Sequence, residues 1–134
     1  MKHWLAVAAI VAWSGVAHAL SPYLEVPKVS ATDVKAVMSE VEKKLGAAGF
    51  EVIGRYQPKG LPQYGVVVAT DAGLLDAVTA IGGAAIAAAP IRVGVRSDGT
   101  IFHENPEYWS RAYLRGNYDR ADAAVRNVAE GKAP

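Results

Sequence analysis

Residues 90–106, PIRVGVRSDGTIFHENP, restrict the fold of this chain more than any other stretch. Val93 and Val95 alternate with Arg92, Gly94 and Arg96, the two-residue period of a strand with one buried face. Asp98-Gly99 predicts a tight primed turn, because such a turn needs positive φ and glycine adopts it without steric cost. Residues 100–104 return as the second strand of a hairpin. Asn105-Pro106 then stops that strand and opens a helix, with Asn as the cap and Pro at the first helical position, where a missing N–H is no loss. An isolated hairpin is marginal in water, so the rest of the chain has to supply further strands and a covering layer.

That layer is legible upstream. Val34, Val37, Met38, Val41 and Leu45 recur at helical spacing behind Ser30 and Asp33, which have the S-x-x-D form of a capping box, and Gly49 closes the helix. The Met and Val stripe reads as core. Residues 50–57 form a strand in which Phe50, Val52, Gly54 and Tyr56 alternate with Glu51, Ile53 and Arg55. After the turn PKGLP, residues 64–70 are apolar on both faces and read as an inner strand. Asp71 caps a helix carrying Leu74, Leu75, Val78 and Ile81. The run 82–89, GGAAIAAA, fits a loose helical end or a thin strand, and its small side chains allow close approach of another element. Residues 106–115 read as a short aromatic helix broken at Gly116-Asn117, with Asn117 capping a last helix that carries Ala121, Ala124, Val125 and Val128. Residues 20–29 contain Pro22 and Pro27 and form an extended lead-in with an edge strand at 23–26. The expected fold class is α+β: a two-layer sandwich with a small, mainly antiparallel sheet and helices on one face.

Residues 1–19 read as a signal peptide. Lys2 and His3 precede an apolar run over residues 4–16, shorter than the ~20 residues that span a bilayer, and Ala17-His18-Ala19 is an A-x-A cleavage site. There is no twin Arg and no Cys for lipid attachment. The expectation is a periplasmic or secreted protein, one α+β domain over 20–134, with no stable membrane anchor after cleavage. Cleavage removes Lys2 and leaves 13 residues of each sign, which gives no electrostatic ground for binding nucleic acid or an anionic membrane. Without Cys, an exported domain is held by its core and not by disulfides.

Three features together resemble the domain of unknown function 302 family. They are the helix closing in AGFEV at 48–52, the Tyr64-led strand running into a Leu-rich helix, and the 90–106 hairpin. In that family a small-residue or Leu segment, a Pro, a Val-rich strand, an acidic-Gly turn and an acidic or polar-Pro ending follow in one order. Here these are residues 86–89, Pro90, residues 92–96, Asp98-Gly99 and Asn105-Pro106. The resemblance covers about residues 30–106. It implies a compact α+β domain, often paired as a dimer, with no activity established for the family as a whole. Many members carry a Cys directly after the hairpin Pro; this chain has Ile91, so no thiol chemistry carries over.

His103 is the only His left after cleavage, since His3 and His18 leave with the signal. One His and no Cys exclude thiolate nucleophiles, covalent c-type haem attachment, and zinc or copper sites built from several His or Cys. No G-x-S-x-G, phosphate loop or G-x-G-x-x-G is present. The candidate ligand-binding residues are Arg92, Arg96, His103, Tyr56, Trp109 and Tyr113. Arg92 and Arg96 share a strand face, with His103 on the partner strand, and two guanidiniums there fit an anionic group. Pairing with local acids such as Asp98 and Glu104, a solvated face, or an interface across a dimer is the simpler explanation of the arginines. His103 is most simply a half-exposed strand side chain; single-His ligation of a metal or haem is the alternative. Tyr108, Trp109, Tyr113 and Tyr118, interleaved with Arg111, Arg115 and Arg120, fit either a ring-stacking or interface site or a helix that covers a sheet edge. These observations point to an exported, non-catalytic binding or accessory protein that needs no cofactor. A second copy, a small anionic ligand or a protein are the partners it allows. An enzyme using His103 with Arg92 and Arg96 as anion holders, or a structural subunit of a cell-envelope assembly, are the competing readings.

Overall fold

The computed structural model describes residues 19–131, so the expected leader, Ala19 apart, lies outside the described residues. The chain runs β1 (Tyr23–Val26), α1 (Val34–Ala47), β2 (Glu51–Tyr56), β3 (Tyr64–Thr70), α2 (Ala72–Ile81), β4 (Ile91–Arg96), β5 (Ile101–Glu104), α3 (Pro106–Leu114) and α4 (Asp122–Ala129). Short 3-10 helices occupy Gly83–Ala88 and Arg115–Arg120. The strands form one antiparallel sheet in the order β1-β5-β4-β3-β2, so the architecture is α+β as the alternation in the sequence predicts.

Ile91, Val93 and Val95 of β4 point to the helical side and are buried. There α1 seats Val37, Met38 and Val41 against Val67, Val93, Val95 and Ile101. A second cluster is built by α2, α3 and α4 around Leu74, Leu114 and Val125, and it reaches the sheet through Ile91. Full burial of each such side chain contributes about 1.5–3 kcal/mol. The helical layer is therefore two packed halves over one sheet face, with a seam between them.

The hairpin turn differs from the two-residue turn that Asp98-Gly99 predicts. The Gly99 N–H donates to the Arg96 carbonyl at 3.0 Å, which makes Ser97 and Asp98 the central residues. Gly99 follows them at φ 88°, the pattern of a type I turn closed by a left-handed glycine. The Val29 N–H donates to the Gly99 carbonyl at 3.1 Å, laying the lead-in segment on the turn. A Cβ at Gly99 would run into the Val29 carbonyl oxygen.

Other local expectations shift for equally concrete reasons. Asp33, and not Ser30, caps α1, its carboxylate accepting from the Lys35 and Ala36 N–H groups at 3.0 and 3.1 Å. Asn117 caps nothing: it lies inside the Arg115–Arg120 3-10 helix, and α4 starts behind Ala121 without a side-chain cap. The break after α3 falls on Arg115, at φ 48°, one residue before Gly116. The small-residue run becomes the 3-10 helix Gly83–Ala88, with Ala85 and Ala88 buried in the α2–α3–α4 cluster. A bulge between Val52 and Gly54 breaks the alternation of β2. Val52 and Arg55 lie opposite Ala69 and Val67 on the helical face, and Arg55 reaches Glu42 of α1 at 3.4 Å. Asp71 and Asn105 cap α2 and α3 as expected, accepting from Leu74 N at 2.9 Å and Glu107 N at 3.1 Å. β3 is an inner strand, but its second face is bare: Val66 and Val68 are only half-buried there.

Gly99→Ala combines a left-handed backbone with a backbone overlap, and the first alone costs about 1–2 kcal/mol. Chemical denaturation should show a loss of at least that size, whereas the control Gly46→Ala in α1, where nothing crowds the added Cβ, should stabilise.

Candidate functional site

Arg92 and Arg96 share the sheet face away from the helices, yet they do not converge. They are four residues apart, about 13 Å along a strand, and each has its own acid. Arg92 Nη1 donates to Glu104 Oε1 at 3.2 Å while the Arg92 backbone N–H donates to Oε2 at 3.2 Å. Glu104 is buried, so this pair is a sheltered cross-strand link. Arg96 Nη2 donates to Asp98 Oδ2 at 2.7 Å and to the Thr100 hydroxyl at 3.1 Å. Asp98 Oδ1 accepts from the Thr100 N–H at 3.0 Å, so one carboxylate ties strand to turn. The Arg96 guanidinium, then Thr100, hold the Asp98 carboxyl well below its usual range, and Asp98 in turn raises Arg96. The arginines are spent on local acids.

His103 is not part of that group. It lies opposite Val93 in register, so its imidazole is on the helical side while Arg92 and Arg96 are on the other. The two-Arg-plus-His constellation is therefore corrected: a strand pair cannot aim all three at one ligand. His103 Nδ1 sits 2.8 Å from the Glu104 carbonyl oxygen. It lines a pocket of about 260 Å³ at the seam, with Val41, Leu45, Phe50, Val93 and Val128. Among the described residues no group of three His, Cys, Asp or Glu is placed to hold a metal ion.

The bare sheet face brings together residues that the sequence kept apart. Tyr56 of β2, Arg92 of β4, and Tyr23, Phe102 and Glu104 from the other edge line one hollow of about 250 Å³. A second hollow of about 260 Å³, beside Leu61, Tyr64 and Arg96, shares its Val66, Gly94 and Phe102 wall. Gly94 has no side chain, which dishes the centre of the sheet. Tyr23, Tyr56 and Phe102 are 52%, 50% and 38% exposed, high values for aromatic rings on a sheet. Phe102 was the missed residue: it alternates with Ile101 and His103, which puts a large apolar ring on the arginine face.

The aromatic helix is mainly a cover. The Trp109 Nε1–H donates to the Pro22 carbonyl at 2.9 Å, and Asn105 Nδ2 donates to the Ser21 carbonyl at 2.8 Å. Trp109 packs on Tyr23 at 5.9 Å and stacks on Tyr113 at 6.0 Å. Trp109 thus clamps the chain entering β1, and Tyr113 continues the aromatic run outward from Tyr23. Arg111 pairs with Glu107 at 2.9 Å and lies 4.0 Å over the Tyr118 ring. Burial pushes the Tyr118 hydroxyl above its ordinary value, and the Arg111 charge pulls the other way.

Neither a protein-family model nor a curated protein matches this chain.

Because the Asp98 carboxyl is depressed in the folded chain, its contribution is fully present above the ordinary value of 3.8 and fades as pH falls below it. Asp98→Asn keeps the acceptor for Thr100 N–H but removes the charge. The variant should be less stable than the parent at pH 7 and should lose less stability between pH 4 and pH 2. Parallel pH–stability curves for the two proteins would remove Asp98 from the acid response.

Proposed function

We propose that this is an exported, non-catalytic binding protein that works through its bare sheet face, and that the partner there is a second copy of the chain. The observation that carries the reading is the dished aromatic surface around Gly94, open where the opposite face is covered by two packed clusters. The face carries both knobs and holes: Tyr23, Tyr56 and Phe102 project, and the two hollows beside Gly94 receive. Such self-complementarity is what an isologous two-fold contact needs. Arg92 with Glu104 and Arg96 with Asp98 are already paired within the chain, and the contact has to leave Glu25, opposite Phe102 on the edge strand β1, in solvent. Five strands about 4.8 Å apart and roughly 20 Å long give a plan area of about 400 Å². Side-chain relief and the flanking Leu61 and Tyr113 bring this toward the roughly 800 Å² per partner of a standard interface. Two such sheets would pack face to face about 10 Å apart. Membership of the domain of unknown function 302 family belongs to the same proposal.

Export is tested by the mass of protein recovered from the periplasm, which should begin at Leu20; a product that retains Met1 would overturn it. For the interface, Phe102→Glu places a charge at the centre of the face and touches neither core cluster. It should convert a dimer to a monomer, read by native mass spectrometry or light scattering, with the melting temperature of the monomeric unit held. A parent protein that is monomeric at tens of micromolar rules the dimer out.

A further inference from the structure

The seam between the two halves of the helical layer holds a pocket on the opposite side of the sheet from the bare face. Its walls come from Val41 and Leu45 of α1, Phe50, and Val128 of α4, and its floor from Val93 and His103. Among the described residues, the only polar side chains that line it are Lys44 and His103. Lys44 is 65% exposed and lies 3.9 Å from Glu40, which leaves its charge largely in solvent. Among the described residues His103 is therefore the one polar side chain inside this pocket.

The backbone fixes how that group is presented. A carbonyl oxygen only accepts, so the 2.8 Å contact with the Glu104 carbonyl places the hydrogen on Nδ1. In the neutral ring Nε2 then carries the lone pair, and it has no hydrogen-bond partner among the described residues. At about 260 Å³ the pocket is at the small end of ligand sites and has room for a substituted ring. An ion is disfavoured by the apolar lining. A wholly apolar ligand would bury Nε2 without a donor.

We propose that the seam pocket binds a small neutral hydroxyl compound with an apolar body, of phenol type, whose O–H donates to His103 Nε2. The ring lies among Phe50, Val93 and Val128, and Leu45 closes the α1 side. This uses His103 as an oriented acceptor and asks no chemistry of it. Nδ1 is held by a backbone carbonyl and Nε2 is the ring nitrogen left for a ligand, which is the way proteins fix the ring of a working histidine.

The test uses a matched pair of probes, 4-ethylphenol and 4-ethyltoluene, which have nearly the same shape and differ in the hydroxyl. Calorimetry on the cleaved protein should show 4-ethylphenol binding about tenfold more tightly, the worth of one sheltered hydrogen bond. His103→Leu should abolish that preference by weakening the phenol and not the toluene. After cleavage His103 is the only histidine, so its ring ¹⁵N signals need no further assignment. Nε2 should shift with 4-ethylphenol and stay put with 4-ethyltoluene. A second variant, Val128→Trp, fills the seam from α4 and should block both probes, which keeps the test open if His103→Leu folds poorly. Equal affinity for the two probes, an unmoved Nε2 signal, or no saturable binding of either overturns the proposal. None of these outcomes depends on the oligomeric state, so failure here and failure of the sheet-face dimer are separately visible.

Discussion

The alternation along β4 is the constraint on which the rest of the structure depends. Ile91, Val93 and Val95 need cover, and both helical clusters form on the side to which they point. Arg92, Gly94 and Arg96 occupy the other side of the same six residues. A period of two leaves no intermediate choice, because a one-residue slip would drive two guanidiniums into the core. All of the helical layer is consequently spent on one face. The bare face is a direct result, and its apolar residues, Val66, Val68 and Phe102, come from β3 and β5 flanking the charged strand.

Ion pairs make that strand's polar side self-sufficient. The Arg92–Glu104 link spans β4 and β5, and the Arg96–Asp98–Thr100 group spans strand and turn. Both hold the hairpin from the solvent side while the valines hold it from the core side. A guanidinium already bonded to a carboxylate keeps other N–H donors free, but it has to share its charge to serve an anion, at a cost to its ion pair. The cost rises with burial, and Glu104 is among the most sheltered acids in the chain. The geometry therefore moves the functional weight from the arginines to the apolar hollows between them.

How much of this was legible in the sequence follows from the range of the physics involved. Strands and helices set by local period were readable: the α1 stripe, β3, the β4–β5 pair, and the caps at Asp71 and Asn105 all rest on contacts within a few residues. The errors came where two local signals competed. Ser30 and Asp33 both suit a helix start, and the helix begins directly behind Asp33, whose backbone is extended at φ −122° and ψ 136°. Asn117 was a good cap residue in a segment that tertiary packing wound into a 3-10 helix. The bulge in β2 has no signature beyond Gly54, yet it decides that Arg55 faces α1. The sites were the least legible part, because each joins residues far apart in the chain. Tyr23 and Tyr56 come to one hollow only through the strand order, and Phe50 meets Val128 only through the way two helical halves close.

Phe102 and His103 show how closely two such sites can be built. They are consecutive on β5, and the pleat sends the ring of one to the bare face and the imidazole of the other to the seam. Their backbones are fixed by the same ladder to β4 and β1, in which His103 pairs with Val93 and Leu24, and Phe102 with Gly94 and Glu25. Neither side chain can reach the other's surface without the strand slipping register. A substitution at Phe102 thus reports on the sheet face and one at His103 on the seam, although the two residues share a peptide bond. The thinness of a single sheet, with both faces in use, lets so short a chain hold two separate candidate sites.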